Sequence, residues 1–231
     1  MSEEPLVLLQ LWGVAGRNVP GAVRRMATQR LQLRSQPGLT FAKLLGTGDG
    51  RTFTVRDADP RHWALLTVWD DESAAGSFAD GGDVTRSWHS IATEALTVRM
   101  RPIAARGQWA GQRPFGDPTP RPTTGMIASI TRARIAARRA TSFWRAVPPV
   151  SADLHQVQGL RLAVGIGEAP IGLQGTFSLW DSPAALNDFA HRREPHVDAI
   201  RRTATEGWYA EELFARFEVL SVDGEFAGRP V

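Results

Sequence analysis

Five histidines and no cysteine set the chemistry available to this 231-residue chain. Without a thiol there is no disulfide, iron–sulfur cluster, zinc–thiolate site or cysteine-ligated haem, and imidazole becomes the main candidate donor. His62 and His155 fall in expected loops, where a surface role is the default. His89 follows a helical stripe of Val84, Trp88, Ile91 and Ala95, and at ~100° per residue it points away from that stripe toward solvent. The same count sets His191 opposite Leu186 and Phe189. His196 differs: Pro195 suits the first turn of a new helix, and His196 sits on the shoulder of its stripe Val197, Ile200 and Ala204. By spacing it is either a half-buried histidine with a backbone partner or an axial ligand of haem iron. A non-haem metal is less favoured, because no second donor shares its face.

A second polar group comes from a strand. Over Gln174–Trp180, Gln174, Thr176, Ser178 and Trp180 alternate with Gly175, Phe177 and Leu179. If helices cover the apolar face, Gln174, Thr176 and Ser178 line the interior of a closed sheet. An antiparallel sheet with a wet outer face is the other reading. No nucleotide-binding glycine loop is complete: LLGTGDG and VGIGEAP both fall short of G-x-G-x-x-G and open no helix. G-x-S-x-G and H-E-x-x-H are absent too, which leaves hydrolase chemistry without an anchor.

The elements that would carry these residues occur twice. RMRPIAARGQWAG from Arg99 and RFEVLSVDGEFAG from Arg216 share the Gly107/Gly224 step and an aromatic-Ala-Gly ending. WALLTVWDDESAA from Trp63 and LQGTFSLWDSPAA from Leu173 share a strand that ends Trp-Asp before a small-residue helix start. The fixed order of these landmarks indicates an internal repeat. The first half reads strand (Leu6–Trp12), helix (Val19–Arg34), strands (Phe41–Gly46, Trp63–Trp69), helix (Ser73–Leu96, broken at Gly81-Gly82) and strand (Thr97–Ala104). The second reads strand (Met126–Arg132), helix (Ile135–Val147), strands (Leu160–Gly167, Gln174–Trp180), helix (Pro183–Thr205, broken at Pro195) and strand (Phe214–Val222). The expected fold is therefore α+β: two fused ferredoxin-like βαββαβ repeats forming an intramolecular dimeric α+β barrel, with an interior able to hold a ligand. Residues 1–112 form the first repeat, 113–124 a Pro/Gly-rich linker and 125–231 the second repeat.

Composition sets outer bounds. Hydrophobic residues make up 42% and charged residues 22%, ordinary values for a globular protein, and no apolar run is long enough to span a bilayer. The acidic start MSEEPLVLLQLW is unlike a secretory leader and predicts a cytoplasmic protein. Lys43 is the one lysine, and 27 basic against 24 acidic residues leave a net charge of only +3. The clusters Arg132, Arg134, Arg138, Arg139 and Arg192, Arg193, Arg201, Arg202 read as solvated helix surface. Nucleic acid is not an expected partner, since no binding motif accompanies the charge, whereas weak attraction to an anionic membrane surface is compatible with it.

The stretches FAKLLGTGDGRTFT, WALLTVWDDESAA, ARGQWAGQRPF, FWRAVPPVSA, LAVGIGEAPIGLQGTFSLW and EGWYAEELFARFEVL, in this order from about Phe41 to Val222, resemble the spheroidene monooxygenase family, the bacterial carotenoid ketolases. The combination of GIGE-x-P, a TFS-x-W strand, a helix with Pro-His and GWY-x-EELFARF is what makes the likeness specific. The resemblance implies a haem b oxygenase that inserts oxygen from O2 into an acyclic carotenoid or another hydrophobic small molecule, with electrons from a separate donor. It implies His196, at the Pro-His step, as the proximal iron ligand. It leaves the catalytic residues on the other side of the haem unassigned; Arg145 in FWRAVP and the Gln174, Thr176 and Ser178 face are the candidates. The alternatives are a haem barrel acting on a small or nitrogen-containing substrate, in the manner of aldoxime dehydratases, and a non-catalytic binding barrel.

Overall fold

The structure is a computed structural model, and it describes residues 4–49, 57–135, 157–168, 175–192 and 209–231. Strand β1 (Leu6–Val14) leads through a 3-10 turn into helix α1 (Val19–Thr28) and helix α2 (Arg30–Arg34). Strands β2 (Leu39–Gly48) and β3 (Ala58–Trp69), helices α3 (Glu72–Gly81) and α4 (Asp83–His89), and strand β4 (Ala92–Gly107) complete the first half. The second half contributes β5 (Ile127–Ile135), β6 (Leu160–Gly167), β7 (Gly175–Trp180), helix α5 (Pro183–Arg192), β8 (Tyr209–Phe226) and a short β9 (Arg229–Pro230).

The ladders are antiparallel, and the order is β4-β1-β3-β2-β6-β7-β5-β8-β9. Each half thus lays its strands in the order fourth, first, third, second. The halves meet along β2–β6 and again along β4–β8, so β1–β8 close into a ring. Closure leaves none of these eight strands with an open edge. The helical starts repeat as well: the Asp71 side chain accepts from the Ala74 N–H at the head of α3, and Ser182 accepts from the Ala185 N–H at the head of α5.

Several boundaries differ from expectation, among them the following. The helix expected over Ser73–Leu96 breaks at Gly82, as anticipated, but it ends at His89, and β4 starts at Ala92. The residues Glu94, Leu96, Val98 and Met100 alternate inward and pair with β1, and that ladder claims them before a helix can. The last strand is also longer than expected, Tyr209–Phe226 against Phe214–Val222, because its start pairs with β5, its middle with β4 and its end with β9. The helix expected at Ile135–Val147 falls almost entirely outside the described residues, and Ile135 itself belongs to β5.

Among the described residues the ring interior is a packed apolar core. Val7, Leu9, Leu11, Leu45, Leu66, Val98, Met100, Ile130, Val164, Phe177, Leu179 and Phe217, from all eight strands, pack there in one cluster. The Pro/Gly-rich stretch between the halves joins it: Phe115 is buried edge-on against Phe217, with ring centroids 4.9 Å apart. Outside the ring, the first sheet carries α1–α4 over Leu8, Trp12, Trp63, Leu65 and Trp69. The second carries α5, which packs Leu186 and Phe189 on Trp180.

Candidate functional site

Both ends of the ring interior are closed by charged groups. At one end Lys43, Arg132, Glu168, Glu211 and Trp109 converge. Arg132 is 3% exposed, pairs with Glu211, and holds Glu168 at 3.0 Å. Lys43 reaches Glu168 at 2.8 Å, the Trp109 indole donates to it at 2.7 Å, and the Arg132 guanidinium lies 5.4 Å from the Trp109 ring. Arg132 is therefore not the solvated helix surface expected of its cluster. It is the inward residue after Ala128 and Ile130 on β5, and its two carboxylates make its burial affordable.

Burial alone would raise both carboxylic acids. At Glu168, bonds from Lys43 and Trp109 outweigh that effect and hold the group below its ordinary value. At Glu211, the Gly111 N–H, Arg132 and the Ala110 N–H do the same. Both groups stay ionised at neutral pH and are poor proton donors.

The opposite end of the β4–β8 ladder has a related arrangement. Glu94 accepts from the Ala227 and Gly228 N–H groups, as Glu211 accepts from Ala110 and Gly111. These are the two aromatic-Ala-Gly turns of the sequence repeat, and in each the alanine is left-handed, with φ of 55° at Ala110 and 53° at Ala227. Each turn is thus clasped by a glutamate of the other half. His62 completes this end, with its ring nitrogens 2.6 Å from Asp59 and from Glu94. The bond His62 makes to Asp59 raises its pKa against the effect of burial, and its bond to Glu94 adds to the rise.

The two halves diverge on the helix-facing surfaces. Leu6 pairs with Trp69 and Ile127 pairs with Trp180, which aligns the two sheets residue by residue. Where the first sheet presents Leu8, Trp12, Leu44 and Leu65, all buried under helices, the second presents Ser129, Ala133, Gly165 and Thr176. Thr131 is exposed where its counterpart Gln10 is 1% exposed. In the first half Trp12 stacks on Trp88 at 5.1 Å and Trp63 completes the layer. The described strands of the second sheet lack that bulk at these positions and present a small-residue, hydroxyl-bearing floor beside α5.

Thr176 and Ser178 belong to this floor, which corrects the expectation that they line the ring interior. Phe177 and Leu179 face inward instead. Ser178 is occupied: it bonds Ser129 at 2.8 Å and accepts from the Trp180 indole at 3.1 Å, fixing the aromatic on which α5 rests. Thr176 is half-buried. Arg145, Gln174 and His196 lie outside the described residues, as do His155 and the side chain of His191. Ser129, Thr131 and Ala133 were not singled out from the sequence, and Gly165 only within VGIGEAP, as part of a strand-end turn. The signal for them was the repeat itself, carried to residue-level alignment of the strands, where bulky residues of one half meet small ones in the other.

Among the described residues no cluster of three or more histidines or acids is placed to hold a metal ion. His62 has both nitrogens engaged by carboxylates, and His89 is exposed on the first half.

No family model matches the chain. It is 35% identical to the spheroidene monooxygenase of Rhodobacter capsulatus over 97% of its own length and 94% of the relative's. It is 38% identical to that of Rubrivivax gelatinosus, over 95% of its length and 80% of the relative's. Among solved structures, two of aldoxime dehydratase, one in complex with butyraldoxime, share its fold with TM-scores of 0.55 and 0.56. Their identities are 13% and 11%, and the match covers 93% of this chain and 81% and 79% of theirs.

Proposed function

Because the chain belongs to the spheroidene monooxygenase family, we infer that it is a haem-dependent monooxygenase acting on a hydrophobic substrate such as an acyclic carotenoid. O2 and electrons from a separate donor complete the reaction. Each half is read as a ferredoxin-like repeat, and the ring they form as an intramolecular dimeric α+β barrel.

The observation that carries this reading is the contrast between the two helix-facing surfaces. Trp12, Trp63, Trp69 and Trp88 fill the first, leaving no slot for a flat macrocycle. Ser129, Ala133, Ala163, Gly165 and Thr176 give the second small side chains, with Trp180 and Phe189 at one side. The donor chemistry fits haem b: the chain has no cysteine and His62 is spent on Asp59 and Glu94, so a second-half histidine would hold the iron, as the family resemblance implies. We assign it to His196, four residues beyond the end of α5, the helix seated on this floor. Haem held there supplies the oxygen-activating chemistry that side chains alone lack. The chain's own part is to seat the ring on small residues and to offer Thr131 and Thr176 hydroxyls to polar groups. Ser178 holds Trp180 in place, and Arg145 and Gln174 remain the candidates for contact with oxygen and substrate.

Protein produced with haem supply should show a Soret band that is lost or displaced in His196→Ala. A missing band, or an identical band in the variant, overturns the assignment. Given haem, an acyclic carotenoid with a reductant should yield a ketone, and recovery of unaltered carotenoid counts against this substrate class. Aldoxime dehydratase chemistry shares only the fold with this chain, and at 13% identity the likeness extends no further.

A further inference from the structure

Helices α1 and α2 carry two apolar stripes, and only one of them is buried. Ala22, Met26 and Leu33 face the first sheet. On the opposite side Pro20, Val23, Ala27 and Leu31 follow one another at helical spacing and are all exposed, Val23 by 44% and Leu31 by 71%. A folded core has no use for this second stripe. Arginines border it: Arg17, Arg24, Arg30 and Arg34 are exposed as well. From residue 5 to residue 48 the chain has no aspartate or glutamate, while it has five arginines and Lys43. Within these elements, therefore, no acid offsets the positive charge.

The charge is available to a partner. Arg17, Arg24 and Arg34 make no ion pair among the described residues, whereas Arg25 is committed to the Ser87 carbonyl at 3.0 Å and so fixes α1 on α4. The nearby acids of α3 and α4 do not neutralise the face, because Asp80 pairs with Arg99 and Asp83 with Arg86. Arg30 bonds the main-chain carbonyl of Glu168 at 3.1 Å, so the face borders the charged end of the ring. Among the described residues no helix is long and apolar enough to cross a membrane.

We propose that the α1–α2 face is a docking surface for an anionic lipid bilayer. Leu31 and Val23 enter the headgroup boundary, and Arg17, Arg24, Arg30 and Arg34 meet the lipid phosphates with their apolar stems laid along the same surface. The chemistry is that of an interfacial helix: an apolar line of modest width, basic flanks and no acid. A bilayer is favoured over a nucleic acid because the centre of the face is aliphatic, and no aromatic or amide side chain stands there to stack on or read a base. The inference stands apart from the haem and substrate assignments, because binding is read without turnover.

Co-sedimentation of the full chain with vesicles tests it. Vesicles of phosphatidylcholine with phosphatidylglycerol should retain the protein at low salt, and pure phosphatidylcholine vesicles should not. Raising the salt should release it. Neutralising each arginine should lower the partition about fivefold, so Arg24→Gln with Arg34→Gln should lower it about 25-fold. Leu31→Ser should weaken binding on its own, while Arg24→Lys with Arg34→Lys should keep it. These positions are exposed, and an unchanged thermal midpoint shows that each variant is folded. Equal retention on both vesicle types, undiminished binding of the double Gln variant, or preferential capture by duplex DNA in competition would overturn the proposal.

Discussion

Arg132 and His62 lie at opposite ends of the same apolar interior, and each is held by two carboxylates. Their pairing decides how each responds to change. Replacing Arg132 with leucine leaves Glu168 and Glu211 without their shared cation. Glu168 keeps Lys43 and Trp109, and Glu211 keeps two backbone N–H groups, so the loss should fall near the low end for a broken buried pair, about 3 kcal/mol by urea unfolding. For His62 the direction of the shift sets the pH behaviour. Its pKa is raised in the fold, so its contribution is complete below the unfolded value of ~6.5 and is lost as pH rises through the folded value. Asp59 is lowered by its bond to His62, and its contribution is lost in the other direction, as pH falls below the ordinary carboxylate range. Urea midpoints measured across pH should therefore decline on the alkaline side in the wild type. In His62→Gln that decline should be absent, and its persistence would mean another group titrates there.

At the scale of elements, the two aromatic-Ala-Gly turns are the repeat's most exact structural echo. Trp109 bridges to Gln112 and Phe226 pairs with Arg229, and in both turns an alanine takes the left-handed conformation that L-residues avoid. The conformation persists because a glutamate of the opposite half accepts both central N–H groups. Ala110→Gly should stabilise the protein by about 0.5–1 kcal/mol, since relief of the left-handed strain exceeds the added freedom of the unfolded chain. A denaturant curve checks this, and destabilisation would mean the alanine methyl is needed for packing. Turn, clasp and ladder together tie the halves along β4–β8, while β2–β6 and the Lys43–Glu168 pair tie the other seam.

For the whole molecule, the asymmetry between halves matters more than their likeness. One helix-facing layer is packed with tryptophan, whereas on the described strands of the other serine, threonine, alanine and glycine lie beside Ile127 and Trp180, which suits the proposed division of labour between a rigid half and a binding half. Refilling the second layer with residues of the first, Ala133→Trp together with Thr176→Leu, should abolish the Soret band of the haem-supplied protein while unfolding stays cooperative. A full band in that variant would put the haem elsewhere. Removing bulk from the packed layer should act oppositely: Trp12→Ala should cost about 3–5 kcal/mol with little effect on haem uptake.

Much of this was legible in the amino-acid sequence. The sequence repeat, the order of the described strands, the small-residue helix starts after Trp-Asp and the break at Gly81-Gly82 are local matters of propensity and spacing, which neighbouring residues decide among themselves. The family likeness was equally visible, because its motifs are linear. Which face of β7 turns inward was not. Alternation in a strand reports that two faces differ, but a closed ring wrapped by helices has an apolar layer on each side, so the pattern leaves the choice open. Thr176 and Ser178 came out on the helix side because Phe177 and Leu179 complete a core drawn from all eight strands. Arg132 looked like surface for a related reason: its two carboxylates are 36 and 79 residues away, and only closure of the ring brings them to it.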